Sequence, residues 1–179
     1  HLYTGQKQMF EQYGLEEEIE RACSSRVSLD SGGSLVIETT EALTSIDVNS
    51  GRFNGAQGME QTALRTNREA AKEAARQIRL RNISGLIAID FIQMEVDQNW
   101  EEIVCILTGL VARDRNPTRV LGLTKAGLVE VTRRRRREPL LYSMTEICVD
   151  CGVRKQLFLT NLKRQYRVSG YERFEESQR

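Results

Sequence analysis

Polar and apolar residues alternate along two short segments near the start of the chain. Residues 34–39 and 42–49 both have the period of two that is typical of β-strands, and the turn between them predicts a hairpin. In the second segment this period places Ser45, Asp47 and Asn49 on one face of the strand. An ionised carboxylate on a half-buried strand is costly unless it is paired, hydrogen-bonded or bound to a metal. Asp47 is therefore predicted to be either structurally satisfied or functional.

A helix and a further strand follow this hairpin. Residues 60–81 carry apolar side chains, mostly alanine, at helical spacing, and Asn67 falls inside that apolar stripe. Residues 86–92 form a nearly continuous apolar run with a single charge, Asp90, which predicts a central strand covered on both faces. Strand, helix and strand in this order favour a parallel βαβ unit, in which the C-terminal ends of both strands meet at one sheet edge. We therefore expect Asp47 and Asp90 to lie close together.

The second half of the chain predicts one more helix and one more hairpin. Residues 98–113 have a helical apolar pattern, and residues 118–123 and 128–132 alternate around a turn that contains Lys125. Beyond Pro139 the chain is polar and only weakly periodic. The predicted fold class is α/β, with a mixed β-sheet flanked by helices and a short cysteine-containing C-terminal extension.

Composition narrows the class of protein. The 179 residues, 40% hydrophobic and 28% charged, suit one main globular domain, with neither an apolar run long enough to cross a bilayer nor a secretory leader. The four cysteines do not resemble a secreted disulfide framework, so a cytoplasmic location is expected. The only histidine is His1, which disfavours a mechanism built on a Ser–His or Cys–His pair. The chain also begins abruptly, as a fragment of a longer protein would.

Asp47, Asn49 and Asp90 form the first group of residues that could carry chemistry. Mg²⁺ takes oxygen ligands, keeps several waters, and is commonly held by one or two carboxylates where a substrate phosphate also binds. Two aspartates at neighbouring strand ends suit such a site, in which the metal activates water for hydrolysis of a phosphodiester. The alternative is structural, with Asp47 capping the turn at Ser50 and Asp90 paired with an arginine.

Basic residues form the second group. The net charge is only +1, but basic side chains recur along one face of the long helix, residues 133–137 are all arginine, and Lys125 lies on the predicted hairpin. Phosphate backbones are bound mainly through lysine and arginine, so Lys125, Arg133, Arg134 and Arg135 are candidate contacts for single-stranded RNA. A solvated face is the alternative for the helix. Consecutive like charges are tolerated best beside a polyanion or an acidic neighbour.

Cys148 and Cys151 form the third group. Two thiolates at this spacing supply half of a tetrahedral zinc site, and a symmetric dimer in which each chain gives one pair would complete it. A redox pair or two unremarkable thiols are the alternatives.

Several longer blocks carry a resemblance to a known family. In chain order they are Asp-Ser-Gly-Gly at 30–33, Glu-Ala-Leu-Thr-Ser-Ile-Asp-Val-Asn-Ser-Gly at 41–51, Thr-Asn-Arg-Glu-Ala-Ala at 66–71, Ala-Arg-Gln-Ile-Arg-Leu-Arg-Asn-Ile-Ser-Gly at 75–85, Ile-Asp-Phe-Ile at 89–92 and Gly-Leu-Val-Glu-Val-Thr-Arg at 127–133. Together they resemble the ribonuclease E/G family, in order, over residues 2–152.

The resemblance implies that the chain is a piece of that family's catalytic region. Residues 1–27 would be the end of a ribonuclease-H-like subdomain, 28–140 a deoxyribonuclease-I-like catalytic subdomain, 141–155 a zinc-link-like segment, and 156–179 a tail or the start of a small domain. The family's oligonucleotide-binding barrel and its 5′-end sensing pocket would lie outside these residues, which implies weak RNA binding by this chain.

An activity is implied as well: Mg²⁺-dependent endonucleolytic hydrolysis of single-stranded RNA, in RNA processing and decay, leaving a 5′-phosphate on the downstream product. By motif, Asp47 and Asp90 are similar to the family's two Mg²⁺-binding carboxylates, and Asn49 to a residue that orients one of them or the attacked phosphate. Cys148 and Cys151 match cysteines that share one structural Zn²⁺ across a dimer. A zinc-bridged dimer or higher homo-oligomer is therefore expected.

The chain departs from the family pattern at two places. Gln93 stands where the family commonly has another aspartate, and the cysteines lack the usual neighbouring proline and downstream Gly-X-Gly, which weakens the zinc expectation relative to the carboxylate site. Gln93, the short chain and the missing RNA-holding domains favour a rival prediction, a non-catalytic RNA-binding or scaffold module derived from the enzyme.

Overall fold

A mixed β-sheet with helices packed against it is the framework of the protein. The computed structural model describes residues 3–4, 8–51, 58–147 and 154–156, with the backbone alone described for 145–147 and 154–156. The strands of the main sheet are β1 (Arg26–Ser28), β2 (Ser34–Thr39), β3 (Leu43–Asn49), β4 (Gly85–Asp90), β5 (Thr118–Leu123) and β6 (Leu128–Arg133). The helices are α1 (Met9–Gln12), α2 (Leu15–Cys23), α3 (Met59–Leu80), α4 (Asp97–Val111) and α5 (Leu140–Met144). A separate two-stranded sheet pairs β7 (Thr145–Ile147) with β8 (Arg154–Gln156).

The six strands lie in the order β1-β2-β3-β4-β6-β5. Only β3 and β4 are parallel, joined through α3 as the predicted crossover, and every other neighbouring pair in this sheet is antiparallel. The predicted α/β fold with a mixed sheet flanked by helices is confirmed. The finer subdomain boundaries stay predictions.

The core lies between one face of this sheet and the helices α3 and α4. Alternate residues of the central strands β3, β4 and β6 point into it. The fully buried side chains of these three strands are Thr44, Ile46, Ile87, Ile89, Val129 and Val131. The face of α3 that enters the core is mostly alanine, which allows close approach of helix and sheet.

The opposite face of the sheet is open over the described residues. Asp47 and Asp90 are exposed there, and Leu86 retains 36% of its surface. The prediction that β4 is covered on both faces was therefore wrong for the described part of the chain. An apolar run of strand length does not state how many faces are covered, because Leu86 and Ala88 read the same as Ile87 and Ile89. In the portion described, no helix has the length and hydropathy needed to span a membrane.

Candidate active site

Asp47 and Asp90 are direct neighbours across the parallel pair β3–β4. The register pairs Asp47 with Asp90, one step beyond Ile46 and Ile89. Residues paired in this way point to the same face, and adjacent strands lie about 4.8 Å apart, so the two carboxylates stand side by side on the open face. The predicted meeting of the aspartates is thus observed, while their role as metal ligands stays a prediction.

Asn49 is directly connected to one of these carboxylates. Its Nδ2 donates a hydrogen bond of 2.7 Å to Oδ2 of Asp47. The two residues are i and i+2 on β3, so the period of the strand puts both side chains on the same face. The bond fixes the orientation of the Asp47 carboxylate and leaves its second oxygen for another ligand.

The structural alternatives for the two aspartates find no contact to support them in the described residues. There, Asp90 has no ion pair with an arginine, and the carboxylate of Asp47 makes its one hydrogen bond with Asn49 rather than with the turn at Ser50. Two like charges held side by side without cationic partners repel, and a divalent cation would relieve that repulsion.

Glycines seat the end of β3 against the turn that precedes β2. A Cβ built on Gly33 would lie 2.6 Å from the backbone oxygen of Asn49, and one on Gly51 would meet the backbone of Gly32. Only glycine permits this close approach of two backbones. The carboxylate of Glu69, on α3, accepts a hydrogen bond of 2.8 Å from the backbone N–H of Ser31 in the same turn. The end of β3 is therefore held in place by the turn at residues 31–33, which Glu69 in turn holds.

Asn67 fixes the chain that follows Asp90. This residue is fully buried on α3, its Nδ2 donates to the carbonyl of Ile92 at 2.8 Å, and its Oδ1 accepts from the N–H of the same residue at 3.0 Å. A buried amide that satisfies both the N–H and the carbonyl of one residue explains a polar residue in an apolar stripe. The sequence signal was visible at Asn67, but the partner was not.

Glu60 holds the same loop further on. Its carboxylate accepts hydrogen bonds from the backbone N–H groups of Glu95 and Val96 and from the side chain of Asn99. The bond from the Glu95 backbone, with those from Asn99 and Val96, holds the pKa of Glu60 below its ordinary value. Trp100 closes the loop by donating from Nε1 to the carbonyl of Met94 at 3.0 Å. Sequence reasoning missed Glu60, because nothing in a helix-initiating glutamate indicates a loop as its partner.

The β5–β6 hairpin brings Lys125 to the same end of the sheet. Leu128, the first residue of β6, pairs with Asp90, and a Cβ on Gly127 would lie 3.6 Å from Oε1 of Gln93. Lys125 is exposed in that turn. The hairpin thus places Lys125, which has no salt bridge within the described ranges, at the edge where the two aspartates lie.

The arginine run lies at the other end of the sheet. Since β6 is antiparallel to β4, Leu128 is level with Asp90 and Arg133 is level with Gly85. The five residue steps from Asp90 to Gly85 correspond to about 17 Å along the strand. The run therefore does not lie beside the two aspartates, and its place could not be read from the sequence because charge along a sequence does not give strand direction.

Arg133 differs from the arginines that follow it. It is 6% exposed, and its Nε donates to Oδ2 of Asp114 at 2.8 Å while Nη1 donates to Oδ1 of Asn82 and to the carbonyl of Ile83. Burial by itself would raise the pKa of Asp114, but the hydrogen bond from Arg133, with others, holds it below its ordinary value. The predicted RNA contact of Arg133 is corrected to a buried structural ion pair. Arg134 and Arg135 remain exposed.

The basic stripe of α3 is largely matched by nearby carboxylates. Arg68 forms a bidentate pair of 2.6 and 2.7 Å with Glu102 of α4, and Arg76 pairs with Glu73 at 2.9 Å. Because their charge is already answered by carboxylates of the protein, these arginines are poor candidates for RNA contacts.

The donor set at the sheet edge fits Mg²⁺ better than it fits a softer metal. Within the described ranges, no group of three or more histidine, cysteine, aspartate or glutamate side chains is positioned to hold a metal. A closed protein cage is therefore not present there, but two exposed carboxylates with room for water and phosphate are the set by which Mg²⁺ is usually bound. Cys148 and Cys151, the predicted zinc ligands, lie outside the described residues.

Comparison with known proteins identifies the family to which the sequence is similar. Residues 1–136 match the model of the ribonuclease E/G family. The chain is 44% identical over 150 residues to ribonuclease G of Haemophilus influenzae, covering 84% of this chain and 30% of that protein. It is 41% identical over 149 residues to ribonuclease G of Escherichia coli K12, covering 83% of this chain and 30% of that protein. It is also 43% identical over 151 residues to ribonuclease E of the same strain, covering 84% of this chain and 14% of that protein. The chain thus spans less than a third of the length of these curated relatives.

Proposed function

Because the chain belongs to the ribonuclease E/G family, we propose that it carries the hydrolytic centre of a Mg²⁺-dependent endoribonuclease that cuts single-stranded RNA in RNA processing and decay. The observation that carries this proposal is the pairing of Asp47 with Asp90 at the C-terminal ends of the only parallel strands in the described main sheet. Family membership alone would be compatible with a chain that had lost its site. Two free carboxylates in register support a chain that has kept it.

Asp47 and Asp90 would hold the metal from adjacent strands, and Asn49 would keep the Asp47 carboxylate turned toward it. When bound, Mg²⁺ supplies neutralisation of phosphate charge and a more acidic water at the attacked phosphorus. Lys125, exposed on the neighbouring hairpin, would contact a phosphate of the bound strand. No histidine acts as general base in this proposal.

Substitution of either aspartate tests the assignment. Asp47→Asn and Asp90→Asn should each lower Mg²⁺-dependent cleavage of an unstructured RNA by roughly a hundredfold or more, the scale seen when a group that stabilises transition-state charge is removed. Glu38→Gln is the matched control, since it removes an exposed carboxylate from β2 of the same sheet that is paired with Ser45 rather than with either aspartate. Cleavage that persists in either aspartate variant would refute the assignment.

Metal binding supplies a readout that does not require turnover. Titration of the chain with Mn²⁺, followed by water-proton relaxation, should show a site that weakens in both aspartate variants and not in Glu38→Gln. The rival function, a non-catalytic RNA-binding module, is favoured by Gln93, whose amide donates a 3.4 Å bond within its own loop where the family commonly has an acid. Metal binding without cleavage by wild type would select that rival.

We also propose that Cys148 and Cys151 share a structural Zn²⁺ between two chains, as the family resemblance implies. Cys148→Ser should lower both zinc content and the dimer fraction. A dimer that persists without zinc would rule out the shared site.

A further inference from the structure

A cleft at the end of the sheet far from the aspartates is rich in arginine, which supplies six of its thirteen lining residues. It has a volume of about 730 Å³ and lies between the C-terminal ends of α3 and α4 and the segment that follows β6. The charged side chains on its rim are Arg79, Arg113, Arg115, Arg136, Arg137 and Glu138. A local excess of cations of this size contrasts with a net charge of +1 for the whole chain.

Two carboxylates line this cleft, and neither forms a salt bridge with the rim arginines among the described residues: Glu138 is exposed on the rim, and the side chain of Asp114 is buried. Asp114 is bound at the cleft by the buried Arg133, with its oxygens at 2.8 and 3.4 Å from the guanidinium nitrogens. The charge of Asp114 is therefore neutralised by Arg133, which is itself shielded from solvent. The five rim arginines are all exposed, and none of them forms a salt bridge with a carboxylate among the described residues.

The rim arginines contrast with three arginines of α3. Arg65, Arg68 and Arg76 all pair with glutamates, whereas the cleft gathers five arginines without such pairs on one concave surface. The C-terminal ends of α3 and α4 partly stabilise the positive charges of Arg79 and Arg113, since a helix C-terminus favours a cation. Arg115, Arg136 and Arg137 follow the helix or a strand and have no such support.

The backbone of the arginine segment is held in place. Nδ2 of Asn82 donates to the carbonyls of Arg137 and Glu138 at 3.1 and 3.0 Å, and the N–H of Arg134 donates to the carbonyl of Pro117 at 2.9 Å. The N–H of Leu140 donates to the carbonyl of Arg81. Guanidinium groups on a fixed backbone bind an anion without first ordering the chain, which favours affinity.

We propose that this cleft is a second binding site for the phosphate backbone of single-stranded RNA, separate from the catalytic edge. The choice of RNA as ligand rests on the function proposed above. Planar guanidinium groups recognise phosphate through paired hydrogen bonds, and several of them around one concave surface suit successive phosphates of one strand. Arg135 is not part of this site, since it lines a different hollow beside the β2–β3 turn.

Binding of a 3′-fluorescein-labelled oligouridylate, followed by anisotropy in EDTA across a salt series, tests the proposal without cleavage. Arg113→Gln combined with Arg137→Gln should weaken binding roughly tenfold at low salt. The slope of log K against log salt should fall by about 1.4, since each phosphate contact on a single strand contributes about 0.7. Arg26→Gln combined with Lys72→Gln removes the same charge from exposed positions elsewhere and should change neither quantity by as much.

A second pair of variants guards against misfolding. Arg113→Lys with Arg137→Lys keeps the charge and should retain most of the salt slope, and Arg115→Gln with Arg136→Gln should reproduce the loss if the first pair does not fold. Equal losses in the cleft and control variants would overturn the proposal, because bulk charge would then explain binding. Competition by polyglutamate as effective as that by unlabelled oligouridylate would overturn it as well, in favour of an acidic protein partner.

The outcome is distinguishable from that of the proposed function. If Asp47→Asn abolishes cleavage but the cleft variants bind RNA as wild type does, the proposed function stands and the second RNA site is refuted. If the cleft variants bind RNA more weakly but the wild-type chain does not cleave, the second RNA site stands and the proposed function is refuted.

Discussion

Replacement of Asn67 by alanine should loosen the fold together with the sheet edge that carries Asp47 and Asp90. The side chain makes two hydrogen bonds, of 2.8 and 3.0 Å, to the carbonyl and the N–H of Ile92, and it is completely buried. Alanine would leave one N–H and one carbonyl without a partner in a partly buried loop. At about 1 to 2 kcal/mol for each lost bond, the free energy of unfolding should fall by about 2 to 4 kcal/mol. That loss is a large part of the 5 to 15 kcal/mol typical of a domain.

Urea denaturation followed by tryptophan fluorescence measures this loss. The chain has a single tryptophan, Trp100, which donates to Met94 in the very loop that Asn67 holds. The fluorescence midpoint therefore reports the affected region directly. Gln61→Ala is the control, since it truncates an exposed amide on the same helix and should shift the free energy of unfolding by no more than about 0.5 kcal/mol.

A charged replacement at the same position sharpens the test. Asn67→Asp could still accept from Ile92 N–H but could not donate to its carbonyl, and it would bury a negative charge. It should be at least as destabilising as alanine. RNA cleavage should fall in both variants even at temperatures where they remain folded, because Asp90 precedes the freed loop by two residues. A midpoint for Asn67→Ala equal to that of Gln61→Ala would refute the reasoning.

Further predictions concern the buried ion pair and two glycines. Arg133→Gln should lower the free energy of unfolding by about 3 kcal/mol, because it leaves Asp114 buried without its partner, whereas Arg134→Gln on the exposed neighbour should cost less than about 0.5 kcal/mol; chemical denaturation compares them. The pKa of Asp114 in the folded protein lies below its ordinary value of 3.8. The ionised carboxylate therefore contributes its full stabilisation above pH 3.8, and this stabilisation is lost as the pH falls through the lower folded value. The free energies of unfolding of wild type and Asp114→Asn, measured against pH, should converge below pH 3.8. Gly33→Ala should destabilise by about 1 to 3 kcal/mol, because its Cβ would lie 2.6 Å from a backbone carbonyl at the end of β3. Gly109→Ala, on an exposed turn of α4 with no atom within 4 Å of the new Cβ, should instead stabilise by about 0.5 to 1 kcal/mol; equal thermal shifts of the same sign in both glycine variants would contradict this account.

The elements that carry strong periodicity were predictable from sequence. The period of two on β3 set the face of Asp47, and the strand–helix–strand order set the direction of β4, so the two aspartates could be brought together before any coordinates were known. Both inferences depend only on local pattern and on the handedness of one crossover.

The position of the arginine run was not predictable in the same way. It depends on β6 lying beside β4 in the antiparallel direction, which is a pairing between segments about forty residues apart in sequence. Burial of Arg133 depends in turn on Asp114, which looks like an ordinary loop residue in the sequence. Long-range partners of this kind leave little trace in local composition, because the residue type alone does not state which charge faces water.

The pairing of β6 also sets a fixed length between two regions of the surface. It is hydrogen-bonded to β4 on one side and β5 on the other, with the Lys125 turn before it and the exposed arginines after it. A single inserted residue would reverse the facing of every later side chain of the strand, and a compensating bulge would have to be accepted by both neighbours. The paired length of β6 therefore fixes the distance between the Lys125 turn and the exposed arginines. Residues at either end of the sheet can be substituted far more readily than this distance can change.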